Sequence, residues 1–426
     1  MNILVIGGGG REHAIISAIK KNKNVDKIFA LPGNGGIAED AECVDITACD
    51  LDRIVDFASK NAIDFAVVAP DDPLVMGAVD RLHAIGIPCF GPSSDAAIIE
   101  GSKAFSKELM KKYGIPTAEY ETFSNKDKAI KYLRHSNFPI VIKADGLALG
   151  KGVIIADNFE AAEKAVVSMM EDGVFGKSGR TVVIEEFLVG PEVSVLAFTD
   201  GKTVKPMVSS MDHKRALDGD KGLNTGGMGT IAPNPYYTSA IADECMKKIF
   251  IPTINAMNSE GRKFKGCLYF GLMLTKDGPK VIEYNCRFGD PEAQSVLTLM
   301  KSDLLDIMIH TENETLEDVD VEFYDEAACC VMTASSGYPA EYEKGIKISI
   351  NRDALNGARL YHSGTAIKDG ELVTSGGRVI GVTATGKNLK DAVNKAYKAV
   401  NGISFTGMYY RKDIGKKALD LLNTEV

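Results

Sequence analysis

Four apolar residues, Ile3-Leu4-Val5-Ile6, run straight into four glycines, Gly7-Gly8-Gly9-Gly10, and this junction constrains the fold more than any other stretch. A short apolar run closed by glycine reads as a buried strand, and a helix is expected over about 11–20. The pattern then repeats. A second strand over 27–30 is closed by Pro32-Gly33-Asn34-Gly35-Gly36. A helix over 51–60 precedes a third strand over 65–69, closed by Pro70-Asp71-Asp72-Pro73. Alternating strands and helices with glycine at strand ends predict an α/β fold with a parallel sheet, binding at the carboxyl ends of its strands. At the first such end, free backbone N–H groups and the helix dipole favour phosphate. A nicotinamide dinucleotide is not expected. Glu12 or His13 stands where the third glycine of G-x-G-x-x-G belongs, and the second strand ends without an acidic ribose partner.

A chain of 426 residues has room for about three domains of ~150 residues. Beyond residue 100 the pattern changes. A helix over 102–113 leads through Gly114-Ile115-Pro116 to strands over 140–143 and 153–156, a helix over 159–171 and a strand over 181–186. That is a small antiparallel α+β unit around two loops, 144–152 and 173–179. Longer strands follow, including a hairpin of 267–275 and 281–287 turning at Lys276-Asp277-Gly278. A third region begins with a strand over 327–334, continues through a hairpin turning at Lys368-Asp369-Gly370, and reaches a strand over 378–385. A helix over 388–400 places Leu389, Ala392, Val393, Ala396, Tyr397 and Val400 at helical spacing. The expected organisation is an N-terminal α/β domain over 1–100 and an α+β core over 101–325 with a mobile lid at about 117–190. A small C-terminal α+β domain over 326–426 completes it.

Lysine and arginine number 49 against 58 aspartates and glutamates, a formal charge of −9. That excess argues against nucleic acid as the main partner. Phosphorylated ligands would need local cations or metal to overcome it. The start carries no basic leader pattern, and no apolar run approaches the ~20 residues that cross a bilayer, so no membrane is expected. The eight cysteines form no C-x-x-C pair and have no histidine partners at zinc spacing. Free thiols in apolar strands imply a reducing, cytoplasmic compartment.

Along residues 281–287, Ile282, Tyr284 and Cys286 alternate with Glu283, Asn285 and Arg287. Residues two apart on a strand are separated by roughly 6–7 Å. Carboxylate and amide oxygens at that spacing can converge on a hard divalent cation, and the arginine fork suits a carboxylate or phosphate. A solvated strand face carrying a salt bridge is the plainer reading of the same pattern. The glycine-rich loop 144–152 follows Lys143 and contains Lys151, which suits triphosphate oxygens; a hairpin tip would look similar. Glu185-Glu186-Phe187-Leu188, with Glu192 beyond Gly190-Pro191, ends a strand at a hinge. It could offer backbone groups to an adenine edge and a carboxylate to ribose hydroxyls, although any strand end with surface carboxylates shares the pattern. Asn224-Thr225-Gly226-Gly227-Met228-Gly229, after Asp212-His213-Lys214-Arg215, reads as a second loop of close approach.

In this order, a lysine strand with a glycine loop, a Glu-Glu-Phe-Leu hinge and a Glu-x-Asn strand resemble the ATP-grasp ligases. Gly-Gly-Arg-Glu-His-Ala (9–14), Pro-Gly-Asn-Gly-Gly (32–36), Glu-Gly-Ser-Lys-Ala-Phe (100–105), Ile-Lys-Ala-Asp-Gly-Leu-Ala (142–148), Asp-His-Lys-Arg (212–215), Asn-Thr-Gly-Gly-Met-Gly (224–229), Glu-Tyr-Asn-Cys-Arg-Phe-Gly-Asp-Pro-Glu (283–292) and Arg-Lys-Asp-Ile-Gly (411–415) narrow the resemblance to the phosphoribosylamine–glycine ligase family. It spans essentially the whole chain. It implies an ATP-grasp core behind a pre-ATP-grasp N-terminal domain, in a cytoplasmic monomer. The implied reaction joins glycine to 5-phosphoribosylamine through glycyl phosphate, using ATP and Mg²⁺ or Mn²⁺.

The resemblance also implies roles. Glu283 and Asn285 would hold the metal. Lys103, Lys143, Gly146, Gly150, Lys151 and Gly152 would meet the phosphates; Glu185, Glu186 and Leu188 the adenine; and Glu192 the ribose of ATP. Arg287, Asp290, Asp212 and Lys214, with Thr225, Gly226, Gly227, Met228 and Gly229, would form the glycine and acyl-phosphate pocket. Gly9, Gly10, Arg11, Glu12, Asn34, Gly35 and Asp71 would take phosphoribosylamine. Asp71 stands where the family usually carries glutamate, one methylene longer. Another ATP-grasp carboxylate–amine ligase, or a carboxylating relative from the purine pathway, is the nearest rival. The segments 212–215 and 287–292 count against it.

Overall fold

A strand that is apolar on both sides belongs in the middle of a parallel sheet, covered on both faces. In the computed structural model, which describes residues 1–147, 152–171 and 179–424, β1 (Asn2–Gly7) takes that place. It lies between β2 (Lys27–Pro32) and β4 (Phe65–Val68), with β3 (Glu42–Cys43) and β5 (Cys89–Phe90) outside them, all parallel. Leu4 and Ile6 enter one hydrophobic core and Ile3 and Val5 another. The loops after β1, β2 and β4 therefore share the carboxyl edge, as the sequence predicts. Two of them touch: a Cβ on Gly8 would lie 2.3 Å from the Gly33 carbonyl oxygen, so only glycine permits the approach.

Strands β6 (Tyr120–Phe123), β7 (Ile140–Ala144), β8 (Val153–Ala156) and β9 (Val182–Glu186) form an antiparallel sheet in the order β6-β9-β7-β8. Helices Lys126–Leu133 and Phe159–Met170 bury Ala129, Leu133, Ala162 and Val166 against it. Next come β10 (Glu192–Thr199), β11 (Val204–Pro206), β12 (Met211–Asp212), the hairpin β13 (Arg215–Leu217) with β14 (Lys221–Asn224), β15 (Gly229–Ala232), β16 (Gly266–Thr275) and β17 (Gly278–Asn285). A second antiparallel sheet runs β11-β10-β16-β17.

The strand β17 departs from simple alternation. Leu272 faces Val281 and Gly271 faces Glu283, which leaves Ile282 as the extra residue of a β-bulge. Val281, Tyr284 and Cys286 consequently enter the core, and Ile282 does not. The sequence reading had placed Ile282 with Tyr284 and Cys286. One inserted residue re-phases the strand, while Glu283 and Asn285 beyond it keep a common face.

The last region contributes β18 (Ala327–Ser335), β19 (Ser349–Ile350), β20 (Arg359–His362), the hairpin β21 (Thr365–Lys368) with β22 (Glu371–Thr374), β23 (Arg378–Gly386), β24 (Ile403–Ser404) and β25 (Met408–Tyr409). Its main sheet runs β12-β15-β18-β23-β20, so two strands from the middle of the chain join three from its end. The helix Leu389–Val400 buries Leu389, Ala392, Val393, Ala396 and Val400 on this sheet. No helix among the described residues is long and apolar enough to cross a membrane.

His213, just past β12, ties this sheet to the chain's end. The Gly415 N–H donates to its Nε2 (3.1 Å), which leaves Nδ1 to donate to the Gly229 carbonyl (3.1 Å). Burial first, then the charge of Arg411, pulls His213 down to about 4. The unfolded chain takes up this proton before the folded one, so the stability it contributes is complete above the ordinary histidine range and lost as pH falls toward 4. Denaturant unfolding at pH 7, 5.5 and 4.5 should show a decline of which about 2 kcal/mol belongs to this residue. His213→Gln should flatten that slope; a parallel slope would reject the assignment.

Candidate active site

The Glu283 carboxylate is recessed beside four cations. Burial alone would push it up, but Lys214, Lys143, Lys103 and Arg287 together outweigh burial and hold it below the usual carboxylate range. Two residues on, Asn285 Oδ1 accepts from Arg287 Nη2 (3.2 Å). The bulge before Glu283 is held from outside. Lys143 donates to the Ile282 carbonyl (3.0 Å), and Thr117 Oγ1 donates to that of Val281 (2.7 Å). Lys143 also pairs with Glu185 Oε1 (3.0 Å), whose other oxygen meets Lys107 (2.9 Å). Lys107 in turn donates to Thr117 (2.8 Å), and its burial, opposed by Glu185, lowers it to about 8.

Lys103 donates to the Gly146 carbonyl (2.7 Å), while Asp145 Oδ1 accepts from Ser102 Oγ (3.0 Å) and Ala104 N–H (3.1 Å). The start of the glycine loop is thereby fastened to the N-terminus of the helix Lys103–Tyr113. Its end is fastened by Ala144 N–H donating to the Gly152 carbonyl (2.8 Å). Gly150 and Lys151 lie outside the described residues.

At the hinge, the Glu186 N–H donates to the Glu119 carbonyl (2.9 Å), and its carboxylate accepts from Lys280 (2.9 Å) and Glu119 N–H (3.0 Å). The Glu186 N–H is thus engaged within the hinge. Leu188 makes no hydrogen bond among the described residues, so its backbone groups are free to serve. Glu192 pairs with Lys214 (2.9 Å), a contact that spacing in sequence did not reveal.

A second cluster gathers at the carboxyl edge of the parallel sheet. Arg287 Nη2 meets Glu100 Oε1 (2.8 Å) and lies 3.8 Å from Asp71 Oδ2. Glu100 Oε2 accepts from Cys286 N–H (2.7 Å). Arg11 and Arg287 both donate to the Phe288 carbonyl (3.1 and 3.4 Å). Burial raises Asp71, but Arg287 and then Arg11 more than reverse it, so the shorter acid stays ionised. The buried Arg287 Nε has no partner among the described residues. Glu12 spends both oxygens on Gly9 N–H (2.6 Å) and Arg11 Nε (2.7 Å). Asn34, expected to take phosphoribosylamine, is bonded within the fold. Its amide donates to the carbonyls of Gly8 (3.0 Å) and His362 (2.7 Å), and its oxygen accepts from Gly36 and Ile37 (2.9 Å each). It ties the loops after β1 and β2 to the segment at 362–363. Gly35 N–H likewise donates to the Thr365 carbonyl (3.0 Å).

The third cluster joins 212–214, 225–229 and 290–294. Thr225 Oγ1 donates to the Lys214 carbonyl (2.9 Å) and accepts from Gly227 N–H (2.9 Å); Met228 N–H donates to the His213 carbonyl (2.8 Å). At Gly227, with φ +113°, a Cβ would lie 2.5 Å from Asp212 Oδ1 and from Pro291 Cδ. Burial, then the charge of Glu292, raises Asp212 well above the ordinary range. Burial also raises Glu292, whose Oε1 accepts from Tyr269 OH (3.1 Å). Arg378 holds this corner. Its fork meets Asp290 Oδ2 (2.9 Å) and the carbonyls of Asp290 (2.8 Å), Gly226 (2.8 Å) and Gly227 (3.3 Å). Sequence reasoning assigned no role to Arg378, Lys107, Glu100 or Glu292. The last two stand inside quoted motifs and could have been found there.

Residues 1–100, 101–293 and 328–417 match the N domain, ATP-grasp (A) domain and C domain of phosphoribosylglycinamide synthetase. The phosphoribosylamine–glycine ligase of Caldanaerobacter subterraneus subsp. tengcongensis is 48% identical across 97% of this chain and 99% of its own length. That of Clostridium acetobutylicum is 48% identical across 98% and 100%. The chain belongs to the phosphoribosylamine–glycine ligase family. The crystal structure of the phosphoribosylamine–glycine ligase from Thermotoga maritima superposes with a TM-score of 0.87 at 33% identity, covering 97% of this chain and all of that one. A biotin carboxylase domain of the Hydrogenobacter thermophilus 2-oxoglutarate carboxylase reaches 0.75 at 16% identity, covering 96% and 91%, and shares the fold.

An ATP-grasp ligase uses ATP with a divalent metal, and the donor set here suits an ion delivered with its nucleotide. The described residues hold no group of three acidic, histidine or cysteine ligands. Glu283 and Asn285 supply two oxygens, and the nearby lysines would repel a bare cation while attracting polyphosphate. Arg378→Ala in this ligase would strand the Asp290 carboxylate and untether Gly226 and Gly227. It should cost roughly 3–5 kcal/mol in denaturant unfolding and remove most turnover, with Arg378→Lys recovering part of the stability; unchanged unfolding would refute the tether.

Proposed function

We propose that the chain catalyses ATP + glycine + 5-phosphoribosylamine → ADP + phosphate + glycinamide ribonucleotide, the second step of purine biosynthesis. The observation that carries this reading is the ionised Glu283 among Lys103, Lys143, Lys214 and Arg287, which suits a metal-bound triphosphate. A bound Mg²⁺ or Mn²⁺, held by Glu283 and Asn285, supplies neutralisation of phosphate charge. Lys103 and Lys143 flank the phosphates beside Gly146 and Gly152, and Leu188 offers backbone to adenine.

A glycine carboxylate oxygen attacks the γ-phosphorus as the bond to ADP breaks, giving glycyl phosphate. The sugar amine then attacks the acyl carbon, phosphate leaves with the C–O bonding pair, and the nitrogen gives up a proton. Positioning and charge neutralisation suffice for both steps. Arg287 Nε, without a partner among the described residues, is a donor for an anionic oxygen, and Asp212 lines the glycine and acyl-phosphate pocket with Asp290. The N-terminal edge, with Gly9, Gly10, Arg11 and Asp71, receives the phosphoribosyl group. We keep the division at 1–100, 101–325 and 326–426, with a lid near 117–190. Eight free thiols, six of them buried, support a cytoplasmic setting, and a monomer is expected by light scattering.

ADP release should require both glycine and the amine; release driven by bicarbonate or alanine instead would overturn this reading. Glu283→Gln should lower kcat by about a hundredfold or more, with near-normal turnover at low Mg²⁺ rejecting the ligand role. Arg287→Lys keeps charge without the fork and should raise KM for glycine about tenfold, well beyond any change for ATP. Equal shifts for both substrates would argue against a glycine contact.

A further inference from the structure

The first turn of the helix Gly10–Ile19 faces two polar atoms that the fold leaves idle. Gln294 is fully buried. Its Nε2 donates to Asp290 Oδ1 (2.6 Å), and because a carboxylate can only accept, that bond fixes which way the amide is turned. The Gln294 Oε1 then has no partner among the described residues, and neither has the buried Ser363 Oγ. Ser363 is itself held firmly: its N–H donates to the Val379 carbonyl (2.8 Å), and its carbonyl accepts from Asn34 (3.4 Å). Only its hydroxyl is unused.

Both side chains meet at one place. A Cβ added to Gly10 would lie 2.5 Å from Gln294 Nε2 and 2.5 Å from Ser363 Oγ. Both side chains therefore pack directly on Gly10, where only glycine fits, at the start of the helix, where the first N–H groups lack intrahelical acceptors. Buried donors and acceptors in native proteins are nearly always satisfied, so this pair calls for a group brought from outside.

The chemistry of that group can be narrowed. An amide oxygen accepts only, while a serine hydroxyl can donate or accept. An alcohol satisfies both, donating to Gln294 Oε1 and accepting from Ser363 Oγ–H. An anion would find an amide oxygen and the Asp290 carboxylate facing it. An ammonium would find no unpaired charge, since Asp290 already meets Arg378 and Gln294. We infer that Gln294 and Ser363 are specificity-determining residues that read a ribose hydroxyl of the phosphoribosyl substrate at this helix start. The inference rests on the reaction proposed above, which brings that sugar to Gly9 and Gly10.

The test uses the full chain and glycinamide ribonucleotide, the stable product that carries the same sugar, with its 2-deoxy and 3-deoxy analogues as ligands in calorimetry. At least one analogue should bind about tenfold or more weakly than the parent, because its absence of a hydroxyl leaves buried groups unpaired. Gln294→Ala and Ser363→Ala should each weaken parent binding about tenfold and erase the preference over the deoxy sugar, and Ser363→Ala, which leaves the Asp290 bonds intact, should keep KM for ATP and glycine nearly unmoved. If both analogues bind the wild-type chain as tightly as the parent, the two atoms hold only water and the inference falls. Should the variants fail to fold, that wild-type comparison still decides. A wild-type chain that reads the hydroxyl but releases no ADP with glycine and amine would instead overturn the reaction.

Discussion

A carboxylate withdrawn from water prefers to be neutral, and a neutral Glu283 could not serve a metal. Four cations prevent that, and each is delivered by a different part of the chain. Lys103 opens a helix, Lys143 stands on β7, Lys214 follows β12, and Arg287 lies past β17. The field at Glu283 exists only when these parts are assembled, so the electrostatics of the site and the tertiary fold are one condition. The same field reconciles a chain of net charge −9 with a polyphosphate ligand: long-range repulsion is screened by salt, while nearby cations in a recess act at close quarters.

The bulge at Ile282 is the structural counterpart of that constraint. It frees two carbonyls from the ladder, and these are taken by Lys143 and Thr117. Lys143 thus grips the strand carrying Glu283 while pairing with Glu185, and Lys107 completes the link from Glu185 back to Thr117. The four-stranded sheet holding β7 and β9 is joined in this way to the strand that presents Glu283 and Asn285. A shift of that sheet would move Lys143 relative to Glu283, which makes the field at Glu283 sensitive to how the two sheets are seated.

Much of this was legible beforehand because it is local. Apolar runs ended by glycine marked β1 and β2, periodic spacing marked the helix Leu389–Val400, and the Lys-Asp-Gly turns marked two hairpins. Glu283 and Asn285 share a face as alternation requires. The residues missed owe their roles to partners far along the chain: Arg378 meets Asp290 and Gly226, and Glu100 meets Arg287. Nothing in the spacing of a lone arginine on a strand distinguishes it from a solvated one. Asn34 has long-range partners of the same kind. Its loop reads as a binding loop, yet its amide is consumed by Gly8, His362, Gly36 and Ile37. The bulge was unreadable because one inserted residue leaves composition and hydrophobicity unchanged.

Asn34 also explains why the last hundred residues belong to the site rather than beside it. Through Asn34 the loops after β1 and β2 are bonded to residue 362, whose N–H donates to His13 Nδ1 (2.9 Å). His13 in turn faces Asp40 (3.3 Å). Arg378 does the same work at the other corner, carrying Asp290 and the loop 225–229 on the first residue of β23. Between these two seams lie Gly10, Gln294 and Ser363, one from each of the three regions of the chain. A glycine at the helix start can present its edge only because the strand before it is buried on both faces and the segment opposite is held by bonds that do not involve the ligand. The placing of these two idle side chains is therefore set by the meeting of distant segments.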